Sequence, residues 1–166
     1  MNPAVEARKL LEWLEISDIS SLPEEAARRL GVEIVEGTAD TVDAMIVHVL
    51  SQRPVIAVNK NRPLYRRRFS LAHELGHLVL KHESSVSFLS KPLSGTLSIS
   101  VRHDAHLERE ANAFAAELLM PKVMLAREAH KFTLKELSRR YVVSVQAMRI
   151  RLKELGLVCK DMPSLL

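Results

Sequence analysis

His73-Glu74-Leu75-Gly76-His77 sets two imidazoles four residues apart, with a carboxylate next to the first. On a helix that spacing puts both rings on one face, with Cβ atoms about 6 Å apart, so both can reach one cation while Glu74 faces a water beside it. This is the layout of a zinc hydrolase, with Glu74 as the general base. From Phe69 to Leu80 the flanking residues are almost all apolar, so the segment reads as a buried helix. Two histidines and a glutamate in such a helix cost desolvation energy that a cation offsets. The competing reading is a pair of exposed histidines on a surface helix.

Two histidines leave zinc underligated, and a catalytic site needs one more protein ligand plus an open position. The downstream candidates are His103, His106, Glu108 and Glu110. Glu108 and Asn112 fall on one helix face, which suits a ligand and a residue that orients a neighbouring ligand through a hydrogen bond. Glu110 points about 200° away from Glu108 around that helix, so both cannot face the metal. Glu108 is the choice and Glu110 the alternative, for one Zn2+ per chain. The scissile carbonyl needs a second electrophile, for which His103, His106, Tyr65 and Tyr141 are candidates, each also readable as an ordinary surface or packing residue. His82 either lines the cleft or caps the metal helix.

The elements that must hold these residues can be read from periodicity. Val5 to Ile16, with the single tryptophan Trp13, reads as a first helix packed on the rest. A second helix opens at Pro23-Glu24-Glu25 and stops at Gly31. Val32–Val35, Ala44–Leu50 and Val55–Asn59 read as strands, the last two as an antiparallel hairpin. The sheet is therefore expected to be small, three-stranded and mainly antiparallel, with Val55–Asn59 as the candidate exposed edge that could hold an extended peptide by strand addition, the alternative being a central strand. The metal helix is expected over Leu64–His82. Residues 83–102, rich in serine and broken by Pro92 and Gly95, read as a flap or a long connection, with a strand at Thr96–Val101. Helices follow over Asp104–Met120, Val123–His130, Thr133–Tyr141 and Ser144–Leu155, the third opened by a Thr133–Glu136 capping box.

The 166 residues, 47% hydrophobic and 27% charged, suit a folded α+β protein and argue against wholesale disorder. Cys159 is the single cysteine, which excludes an internal disulfide and fits a reducing compartment, so a cytoplasmic protein without a membrane span is expected. The net charge of +4, with clusters at Arg66-Arg67-Arg68 and Arg139-Arg140 and then Arg149, Arg151 and Lys153, permits nucleic-acid binding. Solvated helix faces explain those clusters equally simply.

Three blocks, Phe69–Leu78, Glu108–Pro121 and Val143–Gly156, together resemble the ImmA/IrrE family of zinc metallopeptidases in order and spacing. The resemblance implies a gluzincin-type peptidase with a zincin-like helical core. It also implies His73, His77 and Glu108 as ligands, since Glu108 stands thirteen residues before the Leu-Leu-Met-Pro proline, where the family has its third ligand. The implied activity is a limited cut in a helix-turn-helix transcriptional repressor that relieves repression of mobile-element, prophage or stress genes. Relatives often carry a fused N-terminal DNA-binding domain, for which there is no room before the first helix here, so a separate repressor is expected as substrate. On this reading residues 1–166 form one metallopeptidase domain: 1–62 N-terminal helices and sheet, 63–130 metal-site helices and flap, 131–158 a helix-turn-helix-like pair, 159–166 a tail. Two alternatives remain: a DNA-binding regulator with a structural metal, and a repressor- or toxin-binding module with a vestigial site.

Overall fold

Asn2 starts the first helix by accepting hydrogen bonds from the N–H groups of Ala4 and Val5 at 3.1 and 3.2 Å, ahead of a proline at the first helical position. The computed structural model describes residues 1–15, 19–38, 42–48, 53–82, 87–88 and 104–162. In it α1 spans Pro3–Leu14 and turns Ala7, Leu10 and Leu14 inward. Trp13 remains 54% exposed, with the Arg29 guanidinium 5.6 Å from its ring centre. A short 3-10 turn, Ile19–Ser21, leads into α2, Leu22–Arg29, whose glutamates lie in the first turn and arginines in the last, as the helix dipole favours.

Three strands follow, β1 Glu33–Gly37, β2 Ala44–His48 and β3 Val55–Asn59, and a two-residue strand β4, Ser87–Phe88, joins them. The β2–β3 pairing is antiparallel, as the sequence predicts. The rest of the sheet differs from expectation. β1 pairs in parallel with β3, β4 pairs in parallel with β2, and the order is β1-β3-β2-β4, so the sheet is mixed rather than mainly antiparallel. β3 is therefore central and cannot be the exposed edge. The cause lies in composition: Val55-Ile-Ala-Val-Asn59 has no charge and buries Ile56 and Val58, whereas β1 carries Glu33 and Glu36, which suit a solvated edge.

The next helix, α3, spans Leu64–Val79. It stops short of His82 in a left-handed cap: Lys81 has φ 57°, its N–H donates to Leu78 O at 3.2 Å, and the His82 N–H donates to His77 O at 2.9 Å. The arginines at its start are all engaged by neighbouring elements, although Arg66 stays exposed. Arg66 pairs with Asp43, Arg67 with Glu36, and buried Arg68 donates to the carbonyls of Ser20 and Ile19.

Asp104 caps α4, Ala105–Leu119, which lies along α3. At the crossing, a Cβ on Gly76 would come within 3.2 Å of the Ala111 backbone and of Phe114, so glycine is what allows the two helices to approach. α5, Lys122–Glu128, follows Pro121 and ends in a 3-10 turn at Ala129–Lys131. The final pair is α6, Leu134–Arg140, with the Thr133–Glu136 capping box, and α7, Val145–Leu155, capped by Ser144. Leu137, Tyr141, Met148 and Leu152 are fully buried, within the same core cluster as Leu75 of α3 and Phe114 and Leu118 of α4. Among the described residues no helix is long and apolar enough to cross a membrane. The expected flap at 83–102, apart from Ser87 and Phe88, and the expected strand at 96–101 lie outside the described residues.

Candidate metal centre

α3 presents His73 and His77 one turn apart, with their Nε2 atoms 3.0 Å from each other. Glu108, in the first turn of α4, reaches the same point: Oε2 is 3.2 Å from His73 Nε2 and Oε1 is 3.4 Å from His77 Nε2. Among the described residues this is the group of three whose ligand atoms all lie within 4.8 Å of one another. Tetrahedral zinc with bonds of 2.0–2.1 Å requires its donors to stand about 3.3 Å apart, and these separations match.

The hydrogen bonds behind the ligands show why the three donors need a cation. Asn112 Oδ1 lies 3.0 Å from His73 Nδ1 and can only accept, so that nitrogen carries the ring proton and His73 Nε2 is a bare lone pair. On the other ring, His77 Nδ1 faces His82 Nδ1 at 3.0 Å, and His82 Nε2 faces Glu110 Oε2 at 3.2 Å. If Glu110 accepts from His82, then His82 Nδ1 accepts from His77, and His77 Nε2 is likewise bare. Burial, followed by the neighbouring His73 and His82, pushes the His77 pKa down to about 3, so it stays neutral, the form that binds metal. With that arrangement of ring protons, two nitrogen lone pairs converge on the Glu108 carboxyl group. The donor set fits zinc.

Glu74 stands beside this cluster with its pKa raised to about 7, first by burial and then by the charge on Glu108, while a hydrogen bond from the Ile46 backbone pulls it partly back. A carboxyl poised near neutrality can both take and return a proton. Ile46 is a consequence of the sheet order. Asn59 N donates to Asp43 O, so by alternation the Ala44 and Ile46 backbone groups point away from β3, to the opposite side of β2, where Glu74 meets the Ile46 backbone. No side-chain pattern signals that contact, because it is made by the main chain.

The other candidates are dispersed. Tyr65 is 44% exposed and stands eight residues before His73, about 12 Å along the helix axis. Tyr141 is buried in the C-terminal pair and donates to Glu128 at 3.1 Å; burial and the Glu128 charge hold its hydroxyl far above the usual range. Neither is brought to the cluster. His106 is largely exposed, with Nε2 3.7 Å from Glu110 Oε1. His103 lies outside the described residues. Glu110 reaches His82 instead of the metal position, and His82, which sequence left between cap and cleft, stands directly behind His77. The clue to that contact was the five-residue step from His77 to His82, which a left-handed cap folds back on itself.

Residues 27–153 match the family model Peptidase_M78, the IrrE N-terminal-like domain. No curated protein matches the chain. Among solved structures, a Mycobacterium tuberculosis transcriptional regulator superposes with a TM-score of 0.66 at 20% identity, over 97% of this chain and 48% of that one. That likeness is one of fold, and the chain spans about half the length of the regulator.

Proposed function

The chain belongs to the IrrE N-terminal-like (Peptidase_M78) family, and from that premise we propose that it is a zinc-dependent endopeptidase that makes a limited cut in a helix-turn-helix transcriptional repressor. The observation that carries the reading is the convergence of His73 Nε2, His77 Nε2 and the Glu108 carboxylate oxygens at 3.0–3.4 Å from one another, beside Glu74. These three residues would hold the ion, one per chain, in a zincin-like arrangement of two helices. When bound there, zinc supplies Lewis acidity, which makes water acidic near neutral pH.

The chain's own residues do the rest. Glu74 takes a proton from the attacking water on a carboxylate oxygen and delivers it to the leaving amine. Asn112 holds His73, and Gly76 lets α4 bring Glu108 close enough. The repressor as substrate and a cytoplasmic setting come with the family reading.

DNA binding by α6–α7 has weaker support. Arg151 is buried against Glu117, and Arg140 is paired with Glu128, so two of the basic residues that would face phosphates are already neutralised.

The test is to incubate the purified protein with repressors encoded beside it, with and without chelator. Cleavage that stops on chelation is expected. Glu74→Gln should keep zinc and fold but lose cleavage by at least about 100-fold, the lower range for a general base. Turnover by the variant at the wild-type rate would refute the assigned base.

A further inference from the structure

Behind His77 the structure holds a chain of polar contacts that the reaction itself does not use. His77 Nδ1 and His82 Nδ1 are 3.0 Å apart, and His82 Nε2 is 3.2 Å from Glu110 Oε2. The two rings stand nearly perpendicular, 74° apart, with centroids 5.1 Å from each other. His77 and His82 side chains are 3% and 6% exposed, whereas Glu110, at 22%, sits nearer solvent.

We propose that His82 and Glu110 are positioning residues for the zinc ligand His77, forming a carboxylate–imidazole–imidazole relay that fixes the ring's tautomer and orientation. The proposal rests on the metal centre described above. Glu110 can only accept, so it holds the proton of His82 on Nε2, which leaves Nδ1 of His82 as an acceptor and holds the proton of His77 on Nδ1. The lone pair of His77 is then confined to Nε2, facing His73 and Glu108.

The interposed ring has a physical reason. A carboxylate set directly against His77 would be buried in the helix interface and strongly desolvated. An interposed imidazole passes the same orienting influence inward while the carboxylate stays at the rim. Backbone geometry supports it: the cap at Leu80 and Lys81, with the His82 N–H on His77 O at 2.9 Å, turns the chain so that residue 82 returns beneath residue 77. His106, 3.7 Å from the other oxygen of Glu110, is a second, looser partner at the exposed end.

The experiment is zinc affinity by competition with a chromogenic chelator, with the zinc-free melting temperature measured alongside. His82→Leu should weaken zinc binding roughly 10–100-fold, the range for partners of ligating histidines, and Glu110→Ala should weaken it in the same direction but less. Glu110 acts through His82, so the double variant should be no worse than His82→Leu alone. His82→Asn keeps an acceptor near the Nδ1 position, and it should retain more affinity than His82→Leu while making Glu110→Ala silent. Should His82→Leu fail to fold, His82→Asn with and without Glu110→Ala decides the matter. Wild-type affinity in the His82 variants, or losses that multiply in the double variant, would overturn the relay. If wild type takes up no zinc, relay and peptidase reading fall together. If the relay variants weaken zinc while no repressor is cut by wild type, the relay stands and the peptidase reading falls.

Discussion

At the scale of single residues, the position of a proton separates a metal ligand from an ordinary histidine. His73 Nδ1–H donates a hydrogen bond to Asn112 Oδ1, so the other nitrogen of that ring points at Glu108. Glu108 and Glu110 are two residues apart on α4 and have different tasks, one against the histidine pair and one against His82. Glu108→Ala should therefore lower zinc affinity by more than the roughly 100-fold that bounds the loss of an outer partner, and Glu110→Ala by less. Zinc-to-protein ratios after dialysis check this, and a full complement of zinc in Glu108→Ala would exchange the two assignments. The i, i+4 period of His73 and His77 and the 200° step from Glu108 to Glu110 could be read from sequence, because both are properties of one helix. His82 could not be placed, because its partners come from the cap of α3 and from a different helix.

Among elements, helices were more legible than the sheet for the same reason. Thr133 with Glu136, Ser144 and the Pro23-Glu24-Glu25 start are local signals, and α6, α7 and α2 begin where those residues stand. Strand order depends on which faces other elements cover, so the hairpin of β2 and β3 was readable while the seat of β1 beside β3 was not. The pairing of α3 with α4 shows what such packing requires. Glycine inside a helix costs about 1 kcal/mol relative to alanine, yet Gly76 sits between His73 and His77. A methyl there would meet Ala111 Cα and O at 3.2 Å, which are backbone atoms and cannot rotate aside. Gly76→Ala should thus gain that propensity and lose more, roughly 1–3 kcal/mol, to the overlap. Glu108 would be displaced with α4, so zinc affinity should fall together with the urea midpoint. A more stable variant with unchanged affinity would mean that α4 can shift without disturbing the site.

Across the whole molecule, α4 is the common member: its first turns carry Glu108 and Glu110, and its last turn anchors α1, α5 and α7. Glu117 is almost fully buried and accepts from Arg151 of α7, from Arg8 of α1 at 3.4 Å and from the Lys122 N–H of α5 at 3.3 Å. Arg151 also donates from Nε to Met120 O at 3.2 Å. One carboxylate thereby joins the C-terminal pair to the helices that bear the ligands. Removing one partner of a buried pair leaves the other charge uncompensated and costs roughly 3–5 kcal/mol. At 2–4 °C per kcal/mol for a chain of this size, Arg151→Leu should lower the melting temperature by roughly 6–20 °C. How that loss is distributed tests whether the chain is a single domain. Trp13 lies on α1, at the other end of the network, and is the chain's single tryptophan. If the C-terminal pair shares one cooperative core with the metal helices, Trp13 fluorescence and far-UV circular dichroism should shift to the same lower midpoint. If the pair is a separate unit, Trp13 should melt at its wild-type temperature while part of the helical signal is lost earlier. The buried cluster that runs from Leu10 through Leu75 and Phe114 to Leu152 favours the first outcome, because it joins both parts in one core. A coupled core also makes zinc stabilise the C-terminal pair, since a ligand bound only by the folded state raises the midpoint of everything that unfolds with its site.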